Sequence, residues 1–237
     1  MIKQCSIYFT LAILLVACAR NCGKKGGNDQ PKPTMAADST LTAYADSILA
    51  TDKSRMIITS LPWIDSLAAA DSSFSLDNFR LTDSWIEESL ITSPFEKDKE
   101  FFSLYGPYLK YSPDSLMFID LDSYNIILKK GKNGEVVGYE AGPDNQITLI
   151  DLKGKKEMRL MFFGPGTYIH EAVWLDHETI LLFGISEFND FNSDNPVVWK
   201  YNIRNRNFDR FDYDHKVDVT DMKFYSKKVR MGEILIR

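Results

Sequence analysis

Oxygen-bearing side chains gather at one place in this 237-residue chain, Asp190-Phe191-Asn192-Ser193-Asp194-Asn195-Pro196-Val197. Asp190, Asn192 and Asp194 fall at alternate positions ahead of turn-forming residues. A hard cation such as calcium takes several carboxylate and carbonyl oxygens, so these three are the candidate metal ligands. Asn195 stands where such a loop bends, Pro196 offers a carbonyl, and Val197 suits an apolar slot. Tyr201 occupies the twelfth position, where a bidentate glutamate would supply the strongest ligand. The competing reading is a polar connection between two strands, with no cofactor.

The remaining chemistry-bearing groups are dispersed. The three histidines are His170, His177 and His215. His170-Glu171 and His177-Glu178 lie seven positions apart, whereas a helical zinc site sets two histidines four apart on one face. The segment between them reads as strand and turn, which points the rings in different directions. His215 follows Asp209, Asp212 and Asp214, either a local metal site or an acidic, solvated strand end. Asp120 and Asp122 flank Leu121, and strand alternation puts both on one face. Acid–base work would also require a cleft and displaced pKa values. The sequence contains no Gly-x-Ser-x-Gly elbow and no phosphate-cradling glycine loop. Trp63, Trp85, Trp174 and Trp199 offer a sugar-stacking platform if exposed together, and core packing otherwise. No catalytic constellation emerges, and the chain reads as non-enzymatic.

One cysteine has a clearer chemical fate. Lys3 and the free amine form a short positive region, and Ile7 to Ala17 is apolar apart from Thr10. That stretch suits a secretory signal and is too short for a membrane-spanning helix of ~20 residues. It ends in Leu14-Leu15-Val16-Ala17-Cys18. Leu15-Val16-Ala17-Cys18 resembles the bacterial lipobox. The resemblance implies cleavage after residue 17 and diacylation of Cys18, followed by N-acylation; a plain secretory signal or an uncleaved anchor is the alternative. Several acyl chains on one cysteine hold stably, whereas a single chain binds marginally. By the same resemblance, Ala19 lacks the aspartate that retains lipoproteins in an inner membrane. The expected location is the outer membrane, facing the periplasm. Residues 18–37 are polar, glycine-rich and punctuated by Pro31 and Pro33, so they read as a flexible tether. Lys24 and Lys25 would lie near anionic headgroups.

Composition narrows the rest. The formal charge of −5 becomes −6 once Lys3 leaves with the signal. Mild acidity argues against non-specific nucleic-acid binding, which needs a basic footprint. Of the three cysteines, Cys5 leaves with the signal, Cys18 is acylated and Cys22 stands alone. The mature chain therefore has no internal disulfide and no cysteine-based zinc site.

Two regions differ in apolar period. Residues 38–105 read as helical. Leu41, Tyr44, Ala45, Ile48 and Leu49 share one helix face behind Asp38 or Ser39. Arg55 to Thr59 reads as a short strand, and Pro62 to Ala70 as a brief helix behind Ser60. Trp85, Ile86 and Leu90 suggest another helix behind Thr82. Ser93-Pro94-Phe95-Glu96 has the pattern of a helix start, which would bury Phe95, Phe102 and Tyr105.

Residues 106–237 read as short strands between turns. Ile126-Ile127-Leu128 and Val136-Val137 flank Asn133-Gly134, a hairpin signal that favours positive φ at both turn residues. An internal repeat follows. Lys110-Tyr111-Ser112-Pro113-Asp114-Ser115-Leu116-Met117-Phe118-Ile119 matches Val173-Trp174-Leu175-Asp176-His177-Glu178-Thr179-Ile180-Leu181-Leu182-Phe183. Ile147 to Lys156 matches Val198 to Asn207. The first copy is longer in its middle, where the Asn-Gly hairpin sits, and a third partial copy begins at Met222 and ends at Ile236. This order of strands resembles a four-stranded β-propeller blade of the WD40 or TolB-like kind, though no Trp-Asp blade ending is present. A chance likeness within an ordinary meander is the alternative. Two and a half blades cannot close a ring of four to eight. Either helices cover what is left open, or the strands pack as an open sandwich, or another chain completes the assembly.

The expected fold is therefore α+β and mainly β. A helical N-terminal segment precedes an antiparallel meander of two to three propeller-like four-stranded units, open rather than closed. The expected function is a lipid-anchored, non-enzymatic module that binds or assembles with another envelope protein. A calcium-assisted glycan-binding lipoprotein is the second reading, and an envelope hydrolase the third.

Overall fold

The computed structural model describes residues 51–186, 195–215, 217 and 235–236. Cys18, the tether, the helix expected over 41–49 and the run Asp190 to Asp194 all lie outside the described residues. The chain enters as two short helices, α1 (Asp52–Thr59) and α2 (Pro62–Ala70), then strands β1 (Phe79–Ile86) and β2 (Ile91–Pro94). Helix α3 (Lys99–Tyr105) follows, and then β3 (Lys110–Tyr111), β4 (Met117–Asp120), β5 (Ile126–Lys130) and β6 (Val136–Glu140). The body finishes with β7 (Asn145–Asp151), β8 (Lys156–Phe163), β9 (Thr167–Trp174), β10 (Thr179–Ser186), β11 (Asn195–Asn202) and β12 (Asn207–Tyr213). The two-residue β13 (Leu235–Ile236) runs parallel to β6. The fold is α+β, mainly β, with open sheets.

Two meanders form the body. Sheet one has the order β3-β4-β7-β8 with β2 added outside β8. Sheet two has the order β9-β10-β11-β12 with β1 added outside β12. The β5–β6 hairpin is the insertion in the first copy and pairs separately with β13. The repeat extends to backbone detail. Asp151 pairs with Lys156 and Asn202 with Asn207. Lys155 and Arg206, at matching turn positions, both take positive φ, 49° and 56°. Asp151 Oδ1 accepts from Gly154 N, and Asn202 Oδ1 from Asn205 N. The added strands dock the same way, with Phe95 N donating to Lys155 O and Glu87 N to Arg206 O.

The sheets stack front to back. Ile119, Ile147 and Leu149 of sheet one pack against Leu182, Trp199 and Tyr201 of sheet two. By repeat position, the latter three correspond to Asp120, Thr148 and Ile150, on the opposite face of sheet one. Such a head-to-tail stack leaves one apolar face unpaired at each end. Helices cover both. Ile58 of α1 and Trp63, Ile64 and Leu67 of α2 close over Leu181, Phe183 and Val198 on sheet two. Phe101, Leu104 and Tyr105 of α3, with Ile126 and Leu128 of β5, close over Phe118 and Ile150 on sheet one. Strand β10 is buried on both faces along its whole length.

Several local expectations change. Arg55–Thr59 is helical because Thr51 Oγ1 accepts from Ser54 N at its start and Ile58 is buried against sheet two. Trp85 and Ile86 lie in β1, not a helix. A bulge between Leu81 and Asp83 turns Trp85 to the face opposite Phe79, where it stacks on Phe208 at 5.2 Å. Ser93 and Pro94 end strand β2, an edge position that proline tolerates. The helix start sits further on, where Asp98 Oδ1 accepts from Phe101 N. The Asn133-Gly134 hairpin is present, but only Gly134 has positive φ, at 87°. Gly134 N donates to Gly131 O, which makes a type I turn closed by a left-handed glycine.

Candidate functional site

A groove of about 560 Å³ opens where the first strands of the two meanders meet. Among the described strands, β3 and β9 each end their sheet. The indole Nε1 of Trp174 on β9 donates to Lys110 O on β3 at 2.8 Å and ties the two sheets across this seam. Lys110 Nζ pairs with Glu171 Oε1 at 2.6 Å, with Glu171 the more buried partner. Pro62, at the start of α2, forms one wall. Pro107 and Tyr108, in the 3-10 turn before β3, form another, and Tyr111 stands beside them. The Tyr111 ring packs on Phe118 at 5.3 Å yet keeps 39% of its surface exposed.

Burial raises the Tyr111 hydroxyl pKa above its usual range, and burial followed by the Asp122 charge raises that of Tyr108. Both phenols therefore stay protonated at neutral pH and can donate. Lys110 and Glu171 pair with each other at the edge of the groove. The groove offers aromatic and proline surface, phenolic donors and one ion pair. That chemistry suits holding an extended chain.

The sequence candidates fall elsewhere. Asp190, Asn192 and Asp194 lie outside the described residues. His170 is buried at a bulge in β9, its ring 6.4 Å from that of Trp63, while His177 sits in the exposed turn beyond Trp174, near Asp114. The acidic strand end is divided among cations. Asp209 lies 4.0 Å from Lys200, Asp212 is held by Arg210 at 2.7 Å, and Asp214 pairs with Arg80 at 3.0 Å and with His215. Among the described residues, no group of three His, Cys, Asp or Glu is placed to hold a metal. The four tryptophans do not share a surface: Trp63, on α2, packs against sheet two, and Trp174 and Trp199 lie between the sheets, with Trp85 packed at that same core.

Asp120 and Asp122 are both buried. Asp120 accepts from the backbone N–H groups of Asp122 and Ser123 and from the Ser123 hydroxyl. Burial nonetheless pushes its pKa up, with those bonds opposing. The groove itself escaped sequence reasoning, because Pro62, Tyr111 and Trp174 come together only through the sheet-to-sheet stack. No family model matches the chain, and comparison with characterised proteins and with solved structures gives no match.

Proposed function

We propose that this chain is an envelope lipoprotein, held by acyl chains on Cys18 at the outer membrane and facing the periplasm. Its folded body binds an extended segment of another envelope protein in the groove between β3 and β9. The observation that carries the reading is the groove: open, walled by Pro62, Pro107, Tyr108 and Tyr111, and beside two sheet-edge strands. Extended and proline-containing segments use aromatic-lined grooves of this kind, because their preformed backbone loses little entropy on docking. The anchor keeps the body close to its partner and raises the effective concentration without new contacts.

The test places a photo-crosslinking amino acid at Tyr111 and, as a control, at Met56, which is 68% exposed on α1. Irradiated envelopes should yield one adduct from position 111, of one protein identified by mass spectrometry. A Tyr108→Ala change on the same chain should abolish it. Adducts equal at both positions, or none at 111, would refute the binding role.

A further inference from the structure

A second, polar cavity of about 290 Å³ lies on the outer face of sheet one, away from the groove. Its floor is Asp120 on β4, Gln146 and Thr148 on β7, and Glu157 on β8. Cross-strand pairing lines these up, with Asp120 opposite Thr148 and Ile150 opposite Glu157. The repeat makes this floor unusual. The counterparts of Asp120, Thr148 and Gln146 in sheet two are Leu182, Trp199 and Val197, all in the core between the sheets. Sheet one carries polar groups at the same positions and still buries two of them, Asp120 to 6% exposure and Thr148 to 9%. Burying polar groups costs free energy unless they are bonded. Helix α3 and the β5–β6 hairpin cover Phe118 and Ile150 on this face, and the cavity lies alongside that cover.

The bonding pattern leaves both donor and acceptor capacity. Gln146 Nε2 donates to Thr148 Oγ1 at 3.1 Å, so the Gln146 carbonyl and the Thr148 hydroxyl proton face no described partner. Glu157 accepts from Ser93 Oγ with one oxygen at 2.9 Å. Lys97 brings a positive charge to the same lining. At the rim stands Tyr124, 46% exposed and edge-on to Phe162 at 5.7 Å, itself 44% exposed. An aromatic wall beside interspersed donors and acceptors is matched by a sugar ring, which presents C–H groups on its face and hydroxyls around its rim. The volume falls just below the usual ligand-pocket range of about 300–1,000 Å³, room for a single ring.

We propose that this cavity binds one neutral pyranose unit, stacked on Tyr124 and hydrogen-bonded by Gln146, Thr148 and Glu157. The site is independent of the groove and of any metal. The test is saturation-transfer NMR on the full chain in detergent, with the methyl glycosides of glucose, galactose, mannose and N-acetylglucosamine, and with putrescine as a cationic probe. At least one glycoside should receive saturation. Tyr124→Ala and Gln146→Ala, neither in a core cluster, should each weaken that binding between about three-fold and ten-fold, the range of one lost hydrogen bond or stacking contact. Circular dichroism would show both variants folded. Met56→Ala, on the exposed side of α1 and in neither site, should leave it unchanged. No transfer to any glycoside, transfer that survives both cavity variants, or binding of putrescine alone would overturn the proposal.

Discussion

Leu67→Ala tests whether α2 is a working cover for the open face of sheet two. Leu67 is fully buried among Ile58, Phe183 and Val198. Removing its three outer carbons forfeits roughly 2.4 kcal/mol of transfer free energy at about 0.8 kcal/mol per methylene-sized group. Partial collapse of the site adds a cavity term, and buried leucine-to-alanine changes span about 2.7–5.0 kcal/mol. The expected loss is therefore about 3 kcal/mol, or roughly 6–12 °C in Tm for a domain of this size. Urea melts read by tryptophan fluorescence measure it directly, with Trp63 on the same helix as the local reporter. Met56→Ala, on the exposed side of α1, should stay within about 0.5 kcal/mol. A Leu67→Ala loss under about 1 kcal/mol would mean that α2 does not bear on sheet two, and would refute the covered-stack reasoning.

Asp120→Asn tests the buried carboxylate. A raised folded-state pKa favours folding below the unfolded pKa, and that contribution disappears as pH rises through the folded value. The variant should match the parent near about pH 3, where both side chains are neutral, and gain over it towards about pH 7; a Tm gap that shrinks as pH rises contradicts this. Gly184→Ala should cost at least the ~1–3 kcal/mol of ordinary overpacking, because the new Cβ would lie 2.2 Å from Tyr168 O across the β9 bulge; denaturant midpoints check it, and an unchanged midpoint contradicts it. Cys18→Ser should abolish palmitate labelling and release the chain from membranes on fractionation, whereas retained label places the acyl chain elsewhere.

The sequence revealed what the chain settles locally. The repeat was legible down to its turns, because Asp151 and Asn202 sit at matched positions and each binds its own turn backbone. The Asn133-Gly134 hairpin was legible for a similar reason, although the loop is one residue longer than the two-residue form. Elements decided by tertiary pairing were not legible. Nothing near Trp85 signals a strand, which exists because β12 offers an open edge and Phe208 a stacking partner. Ser93-Pro94 imitates a helix start, but β8 takes those residues as an edge strand. Of the candidate sites, the groove is built from residues separated by up to 113 positions, Leu61 to Trp174, so no local pattern marks it. The polar cavity left a fainter trace: Asp120, Gln146 and Thr148 break the apolar character of their repeat counterparts, which is visible only once the two copies are aligned.

Photo-crosslinking from Tyr111 in intact envelopes bears most directly on the function proposed for this chain. The groove reading predicts a single adduct of one envelope protein, absent from the Met56 control and lost with Tyr108→Ala. An adduct that ignores the Tyr108 change, or none at all, would contradict it.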